Sequence, residues 1–182
     1  MIKNIILAKI ILKKKQMKNF IIVLSLIISL MSCGSKQISE PKTAGFSVFE
    51  PGVSWATGSD KSIDIWKNWC DQHMSEDLDA IMNLAADSIS INGPYGEKIK
   101  GKEQLSSFLT NWFASNNLKF DHQWATSVTN PDGDGGEWVL NGYNFEVTND
   151  TITNTVNHFA GVYIKDGLVQ QFSIYEQQLP KE

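Results

Sequence analysis

The chain has 182 residues, 42% of them hydrophobic, and a formal net charge of −4, which are the proportions of one ordinary globular domain. The charge is divided unevenly: residues 1–32 hold six lysines and no acid, so the remainder carries ten lysines against twenty carboxylates, a net charge of −10, and there is no arginine anywhere. An acidic body without guanidinium groups argues against a nucleic-acid partner and excludes bidentate carboxylate clamps.

At the N-terminus, Lys13-Lys14-Lys15-Gln16-Met17-Lys18 precedes the apolar run from Phe20 to Met31, and Ser32-Cys33-Gly34 follows. A basic region, a short apolar region and a small residue before the cut define a secretory signal. With the cysteine next to Ser32, the segment resembles a bacterial lipoprotein signal with its lipobox. The resemblance implies that residues 1–32 are removed and that Cys33 carries lipid, palmitate included. It also implies a membrane-anchored protein of the bacterial cell envelope, on the outer membrane and facing the periplasm, because Gly34 and Ser35 lack an acidic surface-export cluster. An ordinary signal peptide or an uncleaved anchor are the alternatives. A signal beginning at Met17 has normal spacing, so Met17 is the expected translation start.

Residues 33–58 are rich in Ser, Gly, Pro and Lys, with Pro41 and Pro51 interrupting regular structure, and read as a flexible tether. Phe46, Val48 and Phe49 either lie against the domain or stay disordered with the rest. The folded domain is expected over 59–182. With Cys33 acylated, Cys70 is the remaining thiol, so a disulfide within the domain is excluded. Its place on an apolar helix face reads as packing rather than reactivity.

Within the domain, Ser59-Asp60 offers an N-cap, and Ile63, Trp66, Cys70 and His73 recur at helical spacing. A second helix starts near Ser75-Glu76-Asp77 and buries Leu78, Ile81, Met82 and Ala85. Asp87 to Asn92 alternates as a strand, and Asn92-Gly93-Pro94-Tyr95-Gly96 ends it. A third helix runs from Lys102 to Ala114. The period then changes to two: Phe120, His122, Trp124, Thr126 and Val128 are expected on one strand face. After the loop 130–136, Glu137 to Thr148 is a strand. A hairpin over 153–177 then turns at Asp166-Gly167, where both central residues need positive φ. The run Asp132-Gly133-Asp134-Gly135-Gly136 lacks the closing bidentate acid of a calcium loop. His73, His122 and His158 lie on separate elements without the paired spacing of a zinc site. Neither a metal nor a cofactor is implied.

This order of elements resembles the NTF2-like superfamily and, within it, the SnoaL-like proteins. The carrying residues are Glu76-Asp77-Leu78-Asp79-Ala80-Ile81, Asp87-Ser88-Ile89-Ser90-Ile91, Gly101-Lys102-Glu103-Gln104-Leu105 and Lys165-Asp166-Gly167-Leu168-Val169. The resemblance covers about residues 60–178 and implies an α+β cone: three N-terminal helices packed on a strongly curved antiparallel sheet, with a pocket at the open end. Matched to the ketosteroid isomerases of that superfamily, the helix-one Tyr falls on Trp69. The base before a Pro falls on Gly93, with Pro94 in place. The proton-donating Asp falls on Asn157, in Asn157-His158-Phe159. None supplies the isomerase's functional group, so isomerase chemistry is not expected.

Three functions are consistent with these residues. The first is a lipid-anchored module binding a small, largely apolar, neutral ligand. Trp66, Trp69, Trp112, His122, Trp124, Asn157, Phe159 and Tyr163 are the pocket candidates; by the isomerase resemblance Asn157 and Phe159 point inward and His158 outward. The second is a SnoaL-like isomerase, cyclase or hydratase using His73, His122 or His158 as acid or base, with an acid such as Asp87. The third is a partner-binding module that forms a homodimer through its sheet.

Overall fold

The computed structural model describes residues 43–46 and 52–179. The expected lipid attachment at Cys33, the expected signal segment and most of the expected tether lie outside the described residues. Two short strands, β1 (Gly45–Phe46) and β2 (Ser54–Thr57), come first. They are followed by α1 (Asp60–Met74), α2 (Leu78–Leu84), β3 (Ala85–Asn92), β4 (Lys98–Lys100) and α3 (Gly101–Phe113). The chain then runs through four long strands, β5 (Asn117–Thr129), β6 (Glu137–Asn149), β7 (Ile152–Lys165) and β8 (Leu168–Gln178). The sheet order is β1-β2-β5-β6-β7-β8-β3-β4. The architecture is α+β, with the helices against one face of the sheet.

The long strands pair by successive hairpins, whose turns place non-glycine residues in the left-handed region: Asp150 at φ 51° and Asp166 at φ 54°, with Gly167 at φ 79°. The expected Asp166-Gly167 turn is therefore present, and it aligns Lys165 with Leu168. The sheet is mixed rather than wholly antiparallel as expected, because β3 runs parallel to β8. After the α1–α2 hairpin the chain enters β3 in the same direction as β8, and only a crossover can make that pairing. The structure also turns part of the expected tether into strand β2 of the sheet: Ala56 and Thr57 pair with Thr129 and Val128.

Each helix follows its sequence. α1 buries Ser62, Trp66, Trp69, Cys70 and His73, one face of a 3.6-residue period. Its N-terminus is held from across the fold: Glu137 on β6 accepts the Ser59 backbone N–H at 2.8 Å and the Ser59 and Ser127 hydroxyls at 2.9 and 2.8 Å. In α2 the Asp77 carboxylate accepts the Ala80 N–H at 2.9 Å, an N-cap that satisfies a donor the helix cannot. α3 buries Leu105 and Leu109.

These faces meet the inner side of the sheet, α1 chiefly against β5 and β6 and α3 against β3. On β7, Val156, His158, Ala160, Val162 and Ile164 are buried in strict alternation, so each intervening residue faces away from the helices. The core joins Trp66, Trp69, Cys70, Ile81, Ile89, Leu105, Val139, Tyr143, Val162 and Phe172. Cys70 is fully buried, and burial raises its thiol pKa well above the ordinary value, as expected of a packing thiol.

Candidate functional site

The inner face of the sheet is filled with rings. Trp66 meets Tyr143 and Phe172 at centroid distances of 6.3 and 5.6 Å, and Trp69 meets Phe172 at 5.9 Å. The three histidines pack among the aromatic side chains of this face, His73 and His158 buried. His73 lies 6.4 Å from Phe120, His122 lies 6.2 Å from Tyr143, and His158 lies 5.2 Å from Tyr143. Among the described residues no three His, Cys, Asp or Glu side chains gather as metal ligands would. His73 Nδ1 donates to the Trp69 carbonyl at 2.8 Å; burial lowers its pKa to about 4. Burial also lowers that of His122, whose Nε2 has no partner among the described residues.

His158 is the histidine with a carboxylate. Its Nε2 stands 3.1 Å from Glu176 Oε2 and its Nδ1 3.2 Å from the Tyr143 hydroxyl. Burial lowers the His158 pKa, only partly opposed by Glu176, so the ring is neutral near pH 7. Burial alone would raise the Glu176 pKa, but hydrogen bonds from Tyr95 and His158 outweigh it and leave the carboxyl below its usual range. An ionised carboxylate only accepts. The proton of neutral His158 is therefore on Nε2, donated to Glu176, and Nδ1 accepts from the Tyr143 hydroxyl. Tyr95, 72% exposed on the β3–β4 turn, also donates to Glu176. The result is a chain of hydrogen bonds from the surface to a buried phenol.

The outer face of the sheet is different. A bulge between His122 and Trp124 in the β5–β6 pairing inserts one residue and reverses which side chains face out. Phe120 and His122 face the helices. Trp124 faces out and is 50% exposed. It begins a row across the sheet: Trp124 opposite Gly142, Gly142 opposite Phe159, Phe159 opposite Tyr175. The neighbouring row holds Asn144, Asn157 and Gln177 in register, with Gln123 at the bulge. Between the rows runs a groove of about 460 Å³, floored by the strands at Tyr143, His158 and Glu176. No lysine lines it.

The expected pocket is thus redistributed. Trp66 and Trp69 are core. Trp112 is half-buried and stacks on Phe108 at 5.5 Å. His122 faces inward. Trp124, Asn157 and Phe159 come together, but on the outer face, while His158 points inward, the reverse of the orientation the isomerase resemblance implied. The cause is register: His158 aligns with Tyr143 and Glu176, which share the helix-facing side. Tyr163 is also outward, against Trp138 at 5.2 Å, and its hydroxyl donates to Asp134. Lys165 joins Asp134 at 2.9 Å, so the Asp-Gly loop is clamped by the sheet. Asp87 is on the surface with Lys102 at 3.0 Å and is no partner to a histidine. Sequence reasoning missed Glu176, Tyr143 and Tyr175. The alternation His158/Phe159 and Tyr175/Glu176 was readable, but the register joining them was not.

No family model matches the chain, and no curated protein matches it. Among solved structures it is similar to an LEH-like epoxide hydrolase from M. tuberculosis, at TM-score 0.55 and 9% identity over 65% of this chain and 84% of that one. A ketosteroid isomerase-like protein from Erwinia carotovora atroseptica aligns at TM-score 0.53 and 10% identity, over 64% and 94%. An NTF2-like protein from Burkholderia xenovorans aligns at TM-score 0.50 and 11% identity, over 67% and 93%. At these identities the likeness is one of fold alone, and the fold is that of the NTF2-like, ketosteroid isomerase-like proteins.

Proposed function

We propose that this protein is a lipid-tethered module of the bacterial cell envelope, anchored through Cys33, that binds a small uncharged ligand in the groove on the outer face of its sheet. The observation that carries this reading is the groove itself: exposed Trp124, Phe159 and Tyr175 along one side, carboxamides along the other, and no cation to pair with an anion. Its volume falls within the roughly 300–1,000 Å³ of small-molecule sites. An anion would lose its hydration there without gaining a counter-charge. The filled inner face supports placing the ligand outside. The test is binding to the full chain in detergent of 2-naphthol against 2-naphthyl phosphate. The neutral probe is expected to bind, the phosphate not, and Trp124→Ala to abolish the binding. Preference for the phosphate would overturn the reading.

A second reading is favoured by the His158–Glu176 pair: a SnoaL-like enzyme of the isomerase, cyclase or hydratase type, with His158 moving the proton. A neutral histidine oriented by a carboxylate is the right device for acid–base work. Against it stands the burial of His158, which is 6% exposed. Turnover that His158→Gln abolishes and Trp124→Ala leaves intact would establish this reading over the first.

A further inference from the structure

We propose that the outer groove is a saccharide-binding platform, taking a neutral oligosaccharide across Trp124, Phe159 and Tyr175; this rests on the reading of the groove as a binding surface and names its ligand class. The first ground is how Trp124 lies. Strands β5 and β7 are separated by β6, so residues on them in one row stand about 9–10 Å apart. Yet the Trp124 and Phe159 rings are centred 5.9 Å apart. That distance is reached because the indole lies over Gly142, where a side chain would collide with it: a Cβ there would stand 2.4 Å from Trp124 Nε1. One indole face therefore rests on the backbone and the other is open. Phe159 continues to Tyr175 at 6.2 Å, and the three are 50%, 41% and 65% exposed. The rings form a staircase of similar steps, suited to successive pyranose rings, whose C–H faces stack on aromatic faces.

The second ground is the row beside the rings. Asn144, Asn157 and Gln177 stand in register on three adjacent strands, and Gln123 joins them at the bulge. A carboxamide offers two donors and an acceptor, matching a hydroxyl that donates and accepts. Asp121 holds the amide nitrogens of Gln123 and Asn144 at 2.8 and 3.2 Å, orienting their oxygens. The side-chain amides of Asn157 and Gln177 make no hydrogen bond to another described residue. A purely apolar ligand would cover these amides and leave them unpaired, which is costly. Sugar hydroxyls pair with them. Glu176, the one charged residue of the lining, has its oxygens occupied by Tyr95 and His158, and its negative charge disfavours an anionic sugar, so the ligand that fits is a neutral one.

The experiment is saturation-transfer NMR and calorimetry on the full chain, in a detergent without a sugar headgroup, with maltotriose, cellotriose and chitotriose, and 2-naphthol as the non-saccharide probe. At least one trisaccharide is expected to bind saturably. Trp124→Ala should weaken it at least tenfold and Asn157→Ala several-fold, with thermal melting close to that of the parent because both residues are at the surface. If no trisaccharide binds, or both variants bind one unchanged, the saccharide assignment is overturned. Naphthol binding lost in Trp124→Ala without saccharide binding would overturn it while sparing the groove. If neither probe binds, both readings fall. A dimer that Trp124→Ala converts to monomer would also overturn both, placing a second copy of the chain on this face.

Discussion

The indole of Trp124 rests on Gly142, the residue opposite it on β6. This contact joins the backbone of one strand to the ring of another and sets the height of the aromatic row above the sheet. Gly142→Ala should displace the ring. The collision is with a half-exposed side chain that can swing away, so the loss of stability should stay within about 1 kcal/mol, below the about 1–3 kcal/mol of overpacking a closed core. The indole should become more exposed. Red-shifted emission relative to the parent, compared through a Trp124→Phe background, checks this; unchanged emission would mean the ring does not lie there.

Glu176 is the acceptor for buried His158. Glu176→Ala leaves the Nε2–H of that ring without a partner, and an unsatisfied buried donor costs about 1–3 kcal/mol. Glu176→Gln keeps an acceptor oxygen and should lose less. Urea unfolding of the two variants measures the difference, and equal stabilities would contradict the hydrogen-bonded pair.

His73 makes stability depend on pH. Its pKa falls from 6.5 in the unfolded chain to about 4 in the fold through burial. Between those values the unfolded chain binds the extra proton, so stability rises with pH through this window. It is fully present above pH 6.5 and lost as pH falls towards 4, by about 3 kcal/mol at most. His73→Gln, compared with the parent from pH 4 to 7, should have the shallower slope; parallel curves would remove His73 as the cause.

Gly167 has φ 79° and open space where a Cβ would stand. Gly167→Val therefore isolates the backbone term: a β-branched residue resists positive φ, and the strain should cost about 1–3 kcal/mol. Thermal unfolding reads it. An unchanged midpoint would show that the turn accommodates a side chain.

Cys33→Ala tests the anchor. The variant should leave the membrane fraction or keep its signal segment, as seen by fractionation and by mass of the product. Normal processing with parental fractionation would end the lipoprotein reading.

Local patterns were legible in the chain itself. The Asp166-Gly167 turn needs positive φ at both positions and has it. The α1 face, with Trp66, Cys70 and His73 buried, follows from a period of 3.6. Asp77 caps α2 because its carboxylate reaches Ala80. These are short-range constraints, met within a few residues, and they sufficed for an α+β fold of the NTF2-like kind. Three decisions belong to the tertiary structure. The bulge at Gln123 turned Trp124 to the opposite side from His122, since one inserted residue reverses a period of two. The β7–β8 register brought His158 to Glu176, eighteen residues away, which alternation alone does not specify. The parallel pairing of β3 with β8 arose from a crossover that no local signal encodes. Which ring faces the core and which faces solvent depended on these long-range alignments, and with them the location of the site.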